Sequence, residues 1–344
     1  MKTREVLQAW KSILTGRAPS LSIEITKECP LRCPGCYAFD AAHLGLGSDV
    51  MLRQLSDFKG EELVRRVLAL IDEYRPLHVS IVGGDPLVRY RELELLLPEI
   101  EARGIHTQIV TSAFRVIPAE WQEKFKRLSV VVSIDGLQPE HDARRKPATY
   151  ERILKSIAGA KVTIHCTITS QIVERPGYLD EFLEFWSARP EIAKVWFSIF
   201  TPQRGATDPE ILSPAQRTAV IADLRRLRGI YPKLGMHERA IDEIANPPQS
   251  PEDCIFARTT ETLSADLKTK ITPCQFGGDP DCSQCGCFAS MGLAAVGHFQ
   301  VLGPLTAGHL FKASDRVGKG WRRMREGWGE EPEPQVPASP FKIV

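Results

Sequence analysis

The chain has no apolar run near the ~18 residues that a membrane-crossing helix needs, so no spanning segment is expected. A secretion signal is missing as well. MKTREVLQAWKSILTG has neither a compact apolar stretch nor a small-residue cleavage site. Val6, Leu7, Trp10, Ile13 and Leu14 instead recur there at helical spacing, so residues 1–20 read as an N-terminal helix and the protein as cytoplasmic. There is no excess of either charge. Lys plus Arg is 44 against 43 for Asp plus Glu, a net charge of +1. A non-specific nucleic-acid binder would carry a strong basic excess, so no nucleic-acid partner is expected. No short-period repeat is present. Disulfide staples are not needed either, because a chain of 344 residues buries about three quarters of its unfolded surface.

What the chain does have is cysteine. The nine are Cys29, Cys33, Cys36, Cys166, Cys254, Cys274, Cys282, Cys285 and Cys287. An odd number in a cytoplasmic chain points to metal ligation rather than a disulfide framework. All but Cys166 fall into two clusters, one near each end.

Between residues 21 and 235 strand and helix patterns alternate. LSIEI, HVSIVGG, HTQIVTS, SVVVSIDG, KVTIHCTIT and KVWFSIF read as strands. DFKGEELVRRVLALIDEYR, YRELELLLPEIEARG, PAEWQEKFKR, ATYERILKSIAG and YLDEFLEFWSAR read as the helices between them, and SPAQRTAVIADLRRLRGI as a last helix with Ser213 at its N-cap. This is a parallel α/β pattern. Several strands carry a second, polar face: Ser22, Glu24 and Thr26 in the first, and Thr163, His165, Thr167 and Thr169 in the fifth. An open sheet covered on both sides would be apolar on both, so a barrel is favoured. After ANPPQSPED the character changes. Residues 250–300 read as a small cysteine-rich module, and 301–344 as a C-terminal segment whose tail, GEEPEPQVPASP, has a flexible composition.

CPLRCPGC follows the first strand and places Cys29, Cys33 and Cys36 at CxxxCxxC spacing. Three thiolates can hold three irons of a [4Fe–4S] cluster and leave the fourth open. A structural zinc site borrowing His43 or Cys166 is the competing reading. The loop lies where α/β barrels carry chemistry, after the C-terminal end of a strand. The second strand ends in Gly83-Gly84-Asp85-Pro86, whose glycines admit a close backbone approach and whose carbonyls and carboxylate suit an ammonium group.

The CxxxCxxC loop, the GGDP strand end and the six βα units together resemble the radical S-adenosylmethionine (radical SAM) superfamily from about residue 21 to 234. The resemblance implies a partial (β/α)6 TIM-like barrel. It implies that Cys29, Cys33 and Cys36 bind the cluster, and that S-adenosylmethionine chelates the open iron through its amino and carboxylate groups. Gly83, Gly84 and Asp85 resemble the element that contacts the methionine ammonium. Gly35 stands where the family commonly has an aromatic residue, and Tyr37 follows the last cysteine instead. Ser133 at the fourth strand end is a candidate for the ribose hydroxyls. Arg145 is a candidate for the S-adenosylmethionine carboxylate, and Ser112, beside Thr111, for the cofactor-site lining. Asp135 before Gly136 also suits a turn. Glu24 is expected to pair with His78 or His165, His165 to be a satisfied core residue, and Cys166 a packed thiol. Gln203 and Arg204 are weak candidates for substrate contact.

The second cluster resembles the SPASM/twitch extension of radical SAM enzymes. Cys254, Cys274, Cys282 and Cys285 are then the ligands of an auxiliary [4Fe–4S] cluster, Cys287 being able to replace one, and SADLKTKITPC is a hairpin delivering Cys274. A four-cysteine zinc knot is the alternative. A fainter likeness runs to radical SAM enzymes of hopanoid lipid biosynthesis. The expected activity is hydrogen abstraction from a small-molecule or lipid substrate, with flavodoxin or ferredoxin as electron donor. Maturation of a ribosomal peptide or protein with a separate recognition partner is the alternative. A non-catalytic metal-binding or electron-transfer protein is the reading from another class.

Overall fold

The computed structural model describes residues 3–45 and 47–326. Helix α1 (Thr3–Leu14) precedes β1 (Ser20–Glu24). There follow α2 (Gly60–Tyr74), β2 (His78–Val82), α3 (Tyr90–Ala102), β3 (His106–Thr111), the short α4 (Trp121–Lys124) and β4 (Leu128–Ser133). Next come α5 (Glu140–Arg144), α6 (Tyr150–Ser156), β5 (Val162–Ile168), α7 (Tyr178–Ser187), β6 (Ile192–Ile199) and α8 (Pro214–Ile230). The chain continues through α9 (Glu238–Ala245), α10 (Ile255–Thr259), β7 (Thr260–Leu263), α11 (Phe288–Gly297), the hairpin β8 (Gln300–Leu302) and β9 (Leu305–Thr306), and α12 (Ala307–Glu326). Among the described residues no helix is long and apolar enough to cross a membrane.

The six expected strands form one parallel sheet in sequential order, the core of a partial (β/α) barrel. Local chemistry explains the elements. On α2, Leu63, Val67 and Ile71 recur every four residues and are buried, while Glu61 and Glu62 sit in the first turn against the helix dipole. On β5, Val162, Ile164, Cys166 and Ile168 are buried against the helices, as the alternation predicts. Ser213 caps α8 in a reciprocal pair with Gln216, with Pro214 in the first turn.

A seventh strand was not expected. β7 pairs in parallel with the outer edge of β1, giving the order β6-β5-β4-β3-β2-β1-β7. The cysteine-rich segment is therefore built into the barrel, and a distinct C-terminal module is not shown. Its other end reaches the opposite edge strand. Ile199 of β6 donates its N–H to the Gly286 carbonyl (3.1 Å), and Arg204 just beyond donates to Asp279 (2.7 Å). A Cβ at Gly286 would stand 2.5 Å from the Ile199 Cβ and carbonyl, so only glycine permits this approach. Residues 260–286 thus span the gap between the two edges of the sheet. The hairpin expected in SADLKTKITPC is present, with Ile271 donating to Thr262 (2.9 Å). The region also holds a helix, α11, that the sequence reading did not place. Its sequence, FASMGLAAVG, is nearly apolar throughout and so shows no amphipathic period.

The expected N-terminal helix packs against α12, at the far end of the chain. Gly16 and Gly318 touch there, and Arg322 donates to the Gly16 carbonyl (2.8 Å). Arg258 of α10 pairs with Asp315 of α12, tying that helix to the segment leading into β7. The tail GEEPEPQVPASP lies outside the described residues.

Two glycines on α12 separate packing from propensity. A Cβ at Gly318 would lie 2.0 Å from the Ile13 carbonyl, whereas one at Gly320 meets nothing within 4 Å. Gly318→Ala is expected to cost about 1–3 kcal/mol by overpacking. Gly320→Ala is expected to stabilise by up to ~1 kcal/mol through helix propensity. Urea midpoints measured on both variants decide it; equal shifts would refute the α1–α12 contact.

Candidate functional site

The cysteine loop leaves the C-terminal end of β1, and its base is pinned by backbone. Gly84 donates to the Thr26 carbonyl (2.7 Å) and Asp85 to the Glu28 carbonyl (2.8 Å). Gly83 has φ of 129°, and a Cβ there would meet the Thr26 carbonyl at 2.4 Å; at Gly84 it would meet that of Glu28 at 2.1 Å. The missing side chains of these glycines make room for the neighbouring loop. Arg89, nearly buried, braces the same turn through Glu28 (3.0 Å) and Asp57 (2.8 Å), and Thr26 donates to Asp57 (2.9 Å). The bond from Arg89, and after it that from Lys59 (2.8 Å), hold the Glu28 carboxyl down at about 2. Sequence reading missed this brace because its members are tens of residues apart.

The Asp85 carboxylate is also not free for an ammonium group. It accepts from Thr111 Oγ1 (2.7 Å), Ser112 N (2.8 Å), Ser112 Oγ (2.6 Å) and Leu87 N (3.0 Å), and it is 1% exposed. Four bonds fill the acceptor sites of its two oxygens. Burial raises its pKa, and the donors oppose that rise. Asp85 therefore ties β2 to β3, and Ser112 caps that carboxylate rather than lining an open site.

Cys29, Cys33 and Cys36 lie half-buried in the loop. Burial pushes the Cys29 thiol up to about 11 and raises that of Cys36. Tyr37, 38% exposed, folds back and donates its hydroxyl to the Gly83 carbonyl (2.7 Å); desolvation of that hydroxyl, with the neighbouring Glu24, raises its pKa above the usual range. Its ring lies 4.3 Å from that of His43.

Glu24, on the polar face of β1, does not pair with His78 or His165. Its partners are His43 Nε2 (3.0 Å) and Ser264 Oγ (2.7 Å), and both Glu24 and His43 are 2% exposed. His43 Nδ1 faces the Phe276 carbonyl at 3.2 Å. A carbonyl only accepts, so Nδ1 carries a proton. Both ring nitrogens are engaged, which removes His43 as a metal ligand. His78 is half-buried with no carboxylate partner among the described residues, and desolvation lowers its pKa to about 4. His165 bonds Ser198 Oγ (2.8 Å), which also accepts the Phe288 N–H at the start of α11 (3.1 Å). Burial takes its pKa to about 4 as well, a satisfied neutral histidine. Cys166 is a fully buried thiol in the core.

Asp135 is more than a turn residue. Its buried carboxylate takes Arg144 Nη1 (2.5 Å), Arg145 Nε (2.7 Å) and the Thr167 N–H (3.2 Å). Burial acts to raise its pKa, but the two guanidiniums outweigh that and hold the carboxyl far below its usual range. Arg144 continues to Glu210 (2.6 Å). Arg145 uses only Nε on Asp135 and lies within electrostatic reach of the Cys33 sulfur, and its terminal nitrogens have no hydrogen-bond acceptor among the described residues. Ser133 stands half-buried at the end of β4, opposite His165 in register, with no side-chain partner among the described residues.

Gln203 and Arg204 dock the second cysteine region. Gln203 Oε1 accepts from Asp279 N (2.7 Å), and Arg204 pairs with Asp279 at 3.3 Å. They do not stand apart as substrate contacts. Cys254, Cys274, Cys282, Cys285 and Cys287 all line one cavity. Cys254 Sγ lies 3.1 Å from Ser290 Oγ, and Gln275 Nε2 donates to Cys287 Sγ (3.1 Å). Burial raises the Cys274 thiol to about 12 and Cys282 to about 11, and lifts Cys285 and Cys287 too. Arg217 of α8, with no acidic partner among the described residues, donates to the carbonyls of Gln284 (3.0 Å), Cys285 (2.7 Å) and Ile244 (2.7 Å).

Among the described residues no three His, Cys, Asp or Glu side chains converge tightly enough to hold a single metal ion. Thiolates on separate irons of a polynuclear centre need no such convergence. Soft sulfur donors without hard oxygen ligands, with Arg145 beside one set and Arg217 beside the other, fit an anionic thiolate-held cluster.

Residues 23–185 match the Radical SAM superfamily. That match takes in a little under half of the chain, and the matched segment includes the cysteine loop, the GGDP strand end, Asp135 and Arg145. The 7-carboxy-7-deazaguanine synthase of Hyperthermus butylicus is 30% identical over 103 residues, which cover 30% of this chain and 39% of that protein. Among solved structures, Streptococcus suis SuiB bound to precursor peptide SuiA superimposes with a TM-score of 0.51 at 19% identity, covering 93% of this chain and 70% of that one. SuiB bound to S-adenosylmethionine gives 0.48 at 20%, covering 76% and 60%. The chain thus spans well under two thirds of the curated relative, and the likeness to SuiB concerns the fold.

The Asp135 network predicts a pH signature. A carboxyl with a depressed folded-state pKa stabilises above its unfolded value near 3.8, and the contribution is lost as pH falls below it. Asp135→Asn should cost about 3–5 kcal/mol at neutral pH, since it removes the buried carboxylate that Arg144 and Arg145 share and leaves only Arg144 with another acid, Glu210. The gap to the parent should narrow below about pH 4. Urea unfolding at several pH values reads this; a gap constant with pH would reject the network.

Proposed function

We propose that the chain is a radical SAM enzyme that modifies a peptide or protein, acting with a separate recognition partner. The observation that carries the chemistry is the three-cysteine loop at the C-terminal end of β1, beside a guanidinium with unengaged terminal nitrogens. Cys29, Cys33 and Cys36 would hold the barrel [4Fe–4S] cluster, and Cys254, Cys274, Cys282 and Cys285 an auxiliary one, with Cys287 as substitute. When bound and reduced, the barrel cluster supplies the electron that splits S-adenosylmethionine into methionine and a 5′-deoxyadenosyl radical, which takes a hydrogen atom from an unactivated carbon.

The chain's own residues orient and insulate. Asp135 fixes Arg145 so that its terminal nitrogens can take a carboxylate in bidentate fashion. Ser133 offers a hydroxyl on the same rim to a ribose. Gly83 and Gly84 present strand-end carbonyls as acceptors for an ammonium group. Asp85 acts indirectly, by holding the strand ends in place. The neutral thiols give up their protons on binding metal, so loading releases protons and weakens at low pH. A flavodoxin or ferredoxin is the proposed donor.

The peptide reading is preferred to a small molecule or lipid because the solved fold that spans most of this chain is that of SuiB in complex with a precursor peptide.

Anaerobic reconstitution tests the chemistry. About eight irons per chain are expected, together with 5′-deoxyadenosine on adding dithionite and S-adenosylmethionine. Cys33→Ser should abolish cleavage and remove about four irons, and Cys166→Ser should leave both unchanged. Zinc in both sites, or a full iron load without cleavage, would overturn the enzyme in favour of a metal-binding or electron-transfer protein.

A further inference from the structure

The far face of the barrel carries a second feature that the cysteine chemistry does not use. Arg17 lies three residues before β1, and Arg75 three residues before β2, so both stand at the N-terminal ends of the strands. The whole length of β1, about 17 Å at ~3.3 Å per residue, lies between this face and the cysteine loop. Here α1 and α12 border a groove of about 560 Å³ lined by Lys11, Arg17, Arg75, Trp321 and Met324, with the hydroxyls of Ser12 and Thr15.

Its chemistry is one-sided. Among the described residues no carboxylate lines it and none of its three cations forms an ion pair; the acidic neighbour Asp72 feels the charge of Arg75 without bonding it. Trp321 is 58% exposed and Met324 65%. α12 turns Phe311, Asp315 and Gly318 inward, so Val317, Trp321 and Met324 form an outward stripe over two turns. α1 adds exposed Leu7 and Leu14 on either side of Lys11. Large exposed apolar groups in a strip mark an interaction surface rather than a solvated one. Cations set among them select an anionic partner.

We propose that this groove binds an acidic peptide segment bearing aromatic or aliphatic anchors. Glutamate or aspartate side chains pair with Lys11, Arg17 and Arg75, while an apolar side chain stacks on Trp321 and Met324. The concave shape and the hydroxyls within it suit an extended chain, whose backbone Ser12 and Thr15 can bond, better than a flat bilayer surface. The inference is independent of the chemistry at the opposite face, and its test uses no cofactor.

Fluorescence anisotropy of a fluorescein-labelled peptide alternating glutamate and phenylalanine, titrated with the full chain, reads the binding. A glutamine–phenylalanine peptide and vesicles of phosphatidylserine and phosphatidylcholine are run beside it. Saturable binding of the acidic peptide is expected, weakening as salt is raised. Lys11→Glu combined with Arg75→Glu, both on exposed side chains, should weaken it at least ~10-fold, and Trp321→Ala about 5-fold or more. The salt titration of the parent needs no variant and stands if one fails to fold. Equal binding of the neutral peptide, binding of vesicles without binding of the acidic peptide, unchanged affinity in both variants, or no binding at all would each overturn the proposal.

Discussion

The mouth of the barrel depends on where the charge of Glu24 is satisfied. A buried carboxylate without partners costs several kcal/mol, so its position dictates what must surround it. His43, from the turn after the first cysteines, meets one oxygen, and Ser264, just past β7, meets the other. His43 then reaches the Phe276 carbonyl, two residues from Cys274. One charge thus joins β1, the first cysteine loop, β7 and the second cysteine region.

This joint makes the two cysteine clusters parts of one structure. Ala38, Leu44, Leu52 and Leu55 from the first loop share a small core with Ala265 and Ile271 from the β7 hairpin. Gly277 packs directly against the His43 backbone, where a Cβ would stand 1.7 Å from its carbonyl. The two cysteine regions therefore share backbone contacts that a separately folding cysteine-rich unit would lack. The segment from 260 to 286 instead substitutes for the missing wall of the barrel, hydrogen-bonded to β1 at one end and to the end of β6 at the other.

The βα repeat and its strand faces were legible because they rest on local periodicity. Val162, Ile164, Cys166 and Ile168 alternate with polar neighbours whatever lies beyond. So were the CxxxCxxC loop and the cap at Ser213, whose chemistry lies within a few residues. The partners of Glu24 were not. His78 and His165 are strand residues, so they seemed the natural candidates, but among the described residues neither forms a bond to a carboxylate, His165 taking Ser198 instead. Asp85 and Ser112 read as cofactor contacts because they end neighbouring strands, and that same adjacency turns them towards each other. α11 escaped notice because an almost wholly apolar helix has no amphipathic period.

The sequence by itself determined the sheet, the order of its first six strands, and the placing of three thiols at a strand end. Each follows from spacing along the chain, and right-handed βα crossovers leave little topological choice. Only the tertiary structure decided that β7 joins the edge of β1, that five distant thiols line one cavity, and that α1 and α12 leave a cationic groove between them. Those outcomes hang on contacts between residues as much as 300 positions apart, such as Gly16 and Arg322. Close approach of backbone and the pairing of buried charge select such contacts, and neither leaves a periodic mark in the sequence.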